Sequence, residues 1–226
     1  MRASARDELE ALEVFRRSTT TLGVVLEGLD IPIQERSATV DIQSAILNLC
    51  VLALRSARAA GVVIRSGYEA EALGLMRRVH EATARVGAVI ADDGGQHARE
   101  WLEGRGPSTP RRIAGKFGNL AFFDMYSEST HASMTGLLQW VAVELPDGRR
   151  MMPIAPMRES SIANTMLVGL AVECRDLAMI AGRTFEREVR GLKHLDADLL
   201  GAIERFVRGE AQTSRATLDE VERDEL

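Results

Sequence analysis

Lysine is nearly missing from this chain, occurring only at Lys116 and Lys193, so its positive charge is carried by arginine. That is a coding bias, since the two cations differ physically only where a bidentate or stacked contact is needed. Aromatic residues make up 4%, too few for a β-rich protein, while Ala, Leu, Arg, Glu and Met are plentiful and favour helix. Cysteine is limited to Cys50 and Cys174, each inside a long apolar segment. Both are expected to be buried free thiols, and no disulfide framework is implied. The longest uncharged runs, Ile42 to Leu54 and Ser160 to Val172, are too short to span a bilayer. The charged stretch Met1 to Glu8 has no apolar core behind it, so no signal peptide is expected. A cytoplasmic protein with no membrane partner is therefore expected. The net charge of −5 gives no general attraction to nucleic acid or anionic lipid, though it leaves room for a local patch.

What is present is apolar periodicity. Hydrophobic residues are 46% of 226, enough to bury one substantial core. From Ala5 to Leu29, the positions Leu12, Phe15, Thr19, Leu22, Leu26 and Leu29 alternate spacings of three and four, the seam of an amphipathic helix that Pro32 ends. A second helix is expected over Ala38 to Arg65, apolar nearly all round through Leu54, broken at Ser66-Gly67 and followed by a third over Gly67 to Asp92. The short break makes these two an antiparallel hairpin. Short helices are expected over His97 to Glu103 and from Arg111, where Thr109-Pro110 serves as cap and first turn. Others are expected over Leu120 to Ser133, Ile162 to Arg187 and Asp196 to Arg208. Pro146-Asp147-Gly148 marks a turn in a small β-hairpin over about 138–154. The fold class is all-α: a bundle of five to seven helices with that one hairpin. Residues 1–210 form a single helical domain, and 211–226 an acidic C-terminal helix or tail.

Chemistry concentrates on the third helix. At 100° per residue, Leu75, Val79, Thr83, Val86 and Ile90 share one side, and Ala70, Gly74, Arg77, Glu81, Ala84 and Ala88 a second, with Glu71, Arg78 and Arg85 wet between them. Arg77 and Glu81, four apart among small residues, are expected to pair out of bulk water at a close helix crossing. Such an Arg can bind phosphate or carboxylate bidentately, with Glu81 orienting it or acting as a base. A register-fixing ion pair with no ligand is the plainer alternative. The run Tyr126-Ser127-Glu128-Ser129-Thr130-His131 is unusually polar after Leu120 to Phe123, and its histidine is a ready acid–base group. Glu128 and His131 have the Glu-x-x-His spacing of a metal-ligand pair, but no second such pair completes a di-metal site. No metal or other cofactor is expected; a mononuclear site, if formed, draws on His80, Glu81, Glu128 and His131. Arg105, Arg111, Arg112 and Lys116 form a basic patch able to hold a phosphate, against the plainer reading of a solvated loop. Arg187 and His194 match a nuclease pattern loosely, at the frequency chance allows in so arginine-rich a chain.

The stretch Ser66-Gly67-Tyr68-Glu69-Ala70-Glu71-Ala72-Leu73-Gly74-Leu75-Met76-Arg77-Arg78-Val79-His80-Glu81, followed by Met125 to His131, resembles a bacterial all-helical family of unknown function, the DUF5677 type, related to HEPN-like domains. The resemblance covers roughly Ile42 to Gly136. It implies a helical bundle, a homodimer, and Arg77, Glu81, Tyr126, Ser127 and His131 as the family-like positions. HEPN-like domains are often RNA-directed, but the ribonuclease motif of the active members is not matched here.

Two functional readings follow. In the first, the protein is a binding or regulatory module, linked to a nucleotide or RNA. Its polar pocket lies around Arg77, Glu81 and His131, with Tyr68, Tyr126 and Ser127 also contacting ligand. In the second, it is a small-molecule enzyme using His131 and Glu81 as acid–base groups, with or without a metal. A regular Leu/Phe seam on the first helix, beyond what three core helices need, argues separately for a homodimer.

Overall fold

The computed structural model describes residues 5–29, 31, 37–92, 94–105, 110–118, 124, 143–144, 150–151 and 160–204. Within them the chain is helical throughout, apart from one short ladder. Helix α1 spans Ala5–Leu26, α2 Ala38–Arg65, α3 Glu69–Ile90, α4 Gln96–Leu102, α5 Pro110–Phe117 and α6 Ser160–Thr184. A further helix, α7, covers residues 192–204.

The ends of α2 are set by local chemistry. The Ser37 side chain accepts from the Val40 amide at 3.2 Å and caps the start. At the other end Gly67, with φ of 81°, lets the chain turn so that its amide reaches the Ile64 carbonyl and the Tyr68 amide reaches Val63. The chain therefore folds straight back, and α2 packs along α3 as the expected hairpin. By length and composition α2 could cross a membrane, because its apolar stretch runs on past the uncharged segment. Half of its most apolar window, however, is buried against other helices.

The core is built by α1, α2, α3 and α6, with α7 closing one edge. Phe15 of α1 lies against Gly61 of α2, and Gly23 against Leu54 and Arg58, so these two helices are antiparallel. Met76 of α3 faces Gly169 of α6, and His80 faces Glu173, so α3 and α6 run in the same direction. Past the end of α6, the Arg187 guanidinium donates to the carbonyls of Val25, Glu27 and Gly28 at the end of α1. A cation there complements the negative pole of the helix and satisfies its orphan acceptors.

Several expectations shift. The α1 seam is covered within the chain: Phe15, Thr19 and Leu22 are buried, with α6 as the main neighbour, so the seam no longer calls for a second copy. On α3 the buried stripe is Ala72, Leu73, Met76, Val79, His80 and Val86, whereas Leu75 and Thr83 are half-buried and Ile90 is exposed. The axis of burial is turned toward His80 because α6 and α5 both press on that side. The small β-hairpin over about 138–154 is not supported as such. A two-residue antiparallel ladder pairs Val143 with Met151 and Glu144 with Arg150, while Pro146-Asp147-Gly148 lies outside the described residues. So do most of the expected helix from Leu120 to Ser133 and the acidic segment 211–226.

Candidate functional site

Helix α3 carries the site because its winding sets a polar edge beside its buried stripe. Arg77 lies at the boundary between His80 and Leu73 on the dry side and Glu71 and Arg78 on the wet side. Its Nε donates to Oε1 of Glu81, one turn on, at 2.8 Å. The two side chains remain 25% and 24% exposed. The pair expected out of bulk water thus forms, but at the rim rather than in a dry crossing. Beside it opens a groove of about 510 Å³, lined among the described residues by Glu71, Gly74, Leu75, Arg77, Arg78 and Glu81. Gly74 lets the groove floor come close to the helix backbone. Arg77 and Arg78 both line the groove, which therefore carries two guanidinium groups, one of them held by a carboxylate.

Among the described residues, α5 is the neighbour of Ala84 and Ala88 on α3. Ala84 and Ala88 pack with Ile113 and Phe117 in a small satellite core. A Cβ on Gly118 would sit 3.1 Å from Nε2 of His80 and 3.2 Å from Ala84. The polar run expected to contribute to the pocket lies outside the described residues, and with it Tyr126, Ser127, Glu128 and His131. α5 opens on Pro110 and ends at Phe117, so it sets the aliphatic Ile113 and the Phe117 ring against the alanines, with Gly118 following where the chain comes close to His80.

Buried under that crossing is a pair the sequence did not reveal. His80 is 4% exposed, and its Nδ1 donates to Oε1 of Glu173 on α6 at 2.7 Å. Periodicity places His80 in the apolar stripe but says nothing about which helix will present a carboxylate to it. Glu128 and His131, the other members of the mononuclear site weighed with His80 and Glu81, lie outside the described residues; among the described residues no three His, Cys, Asp or Glu side chains converge.

The other anticipated residues are more dispersed. Tyr68 sits just before α3 and is exposed. Arg111 is bound bidentately by Asp124, at 2.9 and 3.0 Å, which occupies the fork a phosphate would use and holds the Asp124 carboxyl below its ordinary range. Arg112 and Lys116 are exposed, with the Lys116 ammonium 4.9 Å from the Phe117 ring centre. Both cysteines are buried free thiols, as expected, and burial pushes each up to about 12. Arg187 is engaged in capping α1, and His194 is exposed on α7.

No protein-family model matches the chain, and no curated protein or solved structure shows significant similarity to it.

Proposed function

We propose that this chain is a cytoplasmic binding or regulatory protein of the HEPN-like, DUF5677-like kind, whose groove around Arg77 and Glu81 takes an anionic ligand, a nucleotide or RNA phosphate. The observation that carries the reading is the Arg77–Glu81 pair at the rim of a 510 Å³ groove beside Arg78. Glu81 spends one oxygen on Arg77, which suits a carboxylate that orients a cation better than one awaiting a proton. Binding therefore takes precedence over acid–base catalysis. His131, Tyr126 and Ser127 complete the pocket in this reading, the segment over 138–154 forms a hairpin projecting beside it, and the protein is a homodimer.

The test is equilibrium binding of nucleoside mono-, di- and triphosphates and of a short single-stranded RNA, by thermal shift and fluorescence anisotropy. Removing a charge-assisted hydrogen bond costs about 1.5–3 kcal/mol, so Arg77→Ala should weaken binding roughly 10- to 150-fold. His131→Ala should weaken it while leaving the unfolding midpoint unchanged. Binding unaffected by Arg77→Ala, or none of these probes binding, overturns the reading.

A further inference from the structure

A second surface, independent of the Arg77 groove, lies on the outward side of α2. Val51, Leu52 and Val62 are 37%, 44% and 64% exposed, and at helical spacing they form one stripe with Arg55, Arg58, Ala59 and Arg65, all exposed. The stripe is single-signed: Asp41 is the only acid in α2, and it is turned to Arg99 of α4 at 3.1 Å. Among the described residues none of the three arginines has an ion-pair partner, whereas the exposed Arg16, Arg99 and Arg111 each hold a carboxylate. Aliphatic side chains at Val51, Leu52 and Val62, with Arg55 and Arg58 between them and Arg65 beyond, ask for an occupant that is itself apolar and acidic.

A second α2 does not meet that requirement. A two-fold axis across the stripe that set Val51 against Val62 would also set Arg55 against Arg58, like against like. Residues 216–226 do meet it. They carry Asp219, Glu220, Glu222, Asp224 and Glu225 against a single Arg223, and wound as a helix they put Leu218, Val221, Glu222 and Glu225 on one face. The distance is also within reach. Asp198 of α7 pairs with Arg17 of α1, and α1 is the helix whose Phe15 lies against Gly61 of α2. Asp198 and Gly61 thus touch the same helix, α1, about 10 Å across. Residues 205–217 extend to roughly 40 Å.

We infer that the acidic segment 216–226 docks in the same chain on the arginine-bearing outer face of α2, with Leu218 and Val221 against its Val62 end. Hydrogen exchange of the full chain tests this at low and high salt. The amides of 216–226 are expected to exchange at least about tenfold more slowly than an unstructured peptide at low salt, and to lose that protection at high salt. Arg55→Glu with Arg65→Glu should abolish the protection, and adding Asp219→Arg with Glu222→Arg should restore it. A Val62→Cys, Val221→Cys double variant should oxidise to an internally cross-linked monomer, the native thiols being buried. A cross-linked dimer instead overturns the same-chain assignment in favour of a second copy. Exchange at the unstructured rate in the unmodified chain, indifferent to Arg55→Glu and Arg65→Glu, overturns the proposal.

Discussion

Asp92 shows how a single side chain can organise the turn beyond a helix. Its carboxylate accepts from the His97 amide at 2.6 Å, and backbone bonds from His97, Gly94 and Gln96 hold the group below its ordinary value of 3.8. A lowered acid stabilises the fold above its unfolded pKa, and that stabilisation is lost as pH falls through the folded value. Protection of α4 amides is therefore expected to hold near neutrality and fall away below pH 3.8, and Asp92→Ala should remove this acid-range dependence. Hydrogen exchange across residues 96–102 measures it, and an identical slope in the variant would refute the cap. Arg77 is the contrasting case. A dry Arg–Glu pair would cost several kcal/mol to break, but one that is a quarter exposed and four residues apart on one helix contributes roughly 0.3–1 kcal/mol. Arg77→Ala should thus leave folding nearly intact in urea titration, which is what makes it usable as a binding probe.

At the level of elements, close approach between helices sets the sign of otherwise favourable substitutions. Gly→Ala inside a helix ordinarily gains about 1 kcal/mol. At Gly61 the new Cβ would lie 2.5 Å from the Phe15 ring, and overpacking of that kind costs about 1–3 kcal/mol. Gly61→Ala is expected to lower the denaturation midpoint, and Phe15→Leu in the same background to recover part of the loss; a stabilised Gly61→Ala would mean that α1 and α2 are further apart than described. The elements were also the most legible part of the sequence. The long apolar run and the break at Ser66-Gly67 place α2 over Ala38 to Arg65 without any tertiary information, because turns are local; the Ser37 cap at its start is a finding of the structure. Burial on α3 was legible only in part, since periodicity gives a face but not its neighbours: α6 brought Glu173 to His80, and α5 covered Ala84 and Ala88. In the candidate site, Arg77 and Glu81 were readable from their spacing, whereas their exposure depends on packing that no spacing encodes.

For the molecule as a whole, the same limit explains the α1 seam. Regular Leu and Phe positions announce that something covers the helix, and here α6 does so within one chain. Leu22 is fully buried, so Leu22→Ala should cost about 2–5 kcal/mol in unfolding free energy while leaving the sedimentation coefficient unchanged. A variant that instead shifts the assembly state without loss of stability would return the seam to an intermolecular role. The pairing of α1 with α6 also has a consequence on the ribosome. α1 is finished at Leu26 and its partner does not begin until Ser160, an interval of roughly 10–30 s at ordinary rates of synthesis. Throughout it α2 and α3 can already close on each other and α2 can take Phe15 against Gly61, but the rest of the α1 seam lacks its main partner. The newborn chain must carry an exposed amphipathic helix through most of its translation, and completion of the core waits on one of the last elements to emerge.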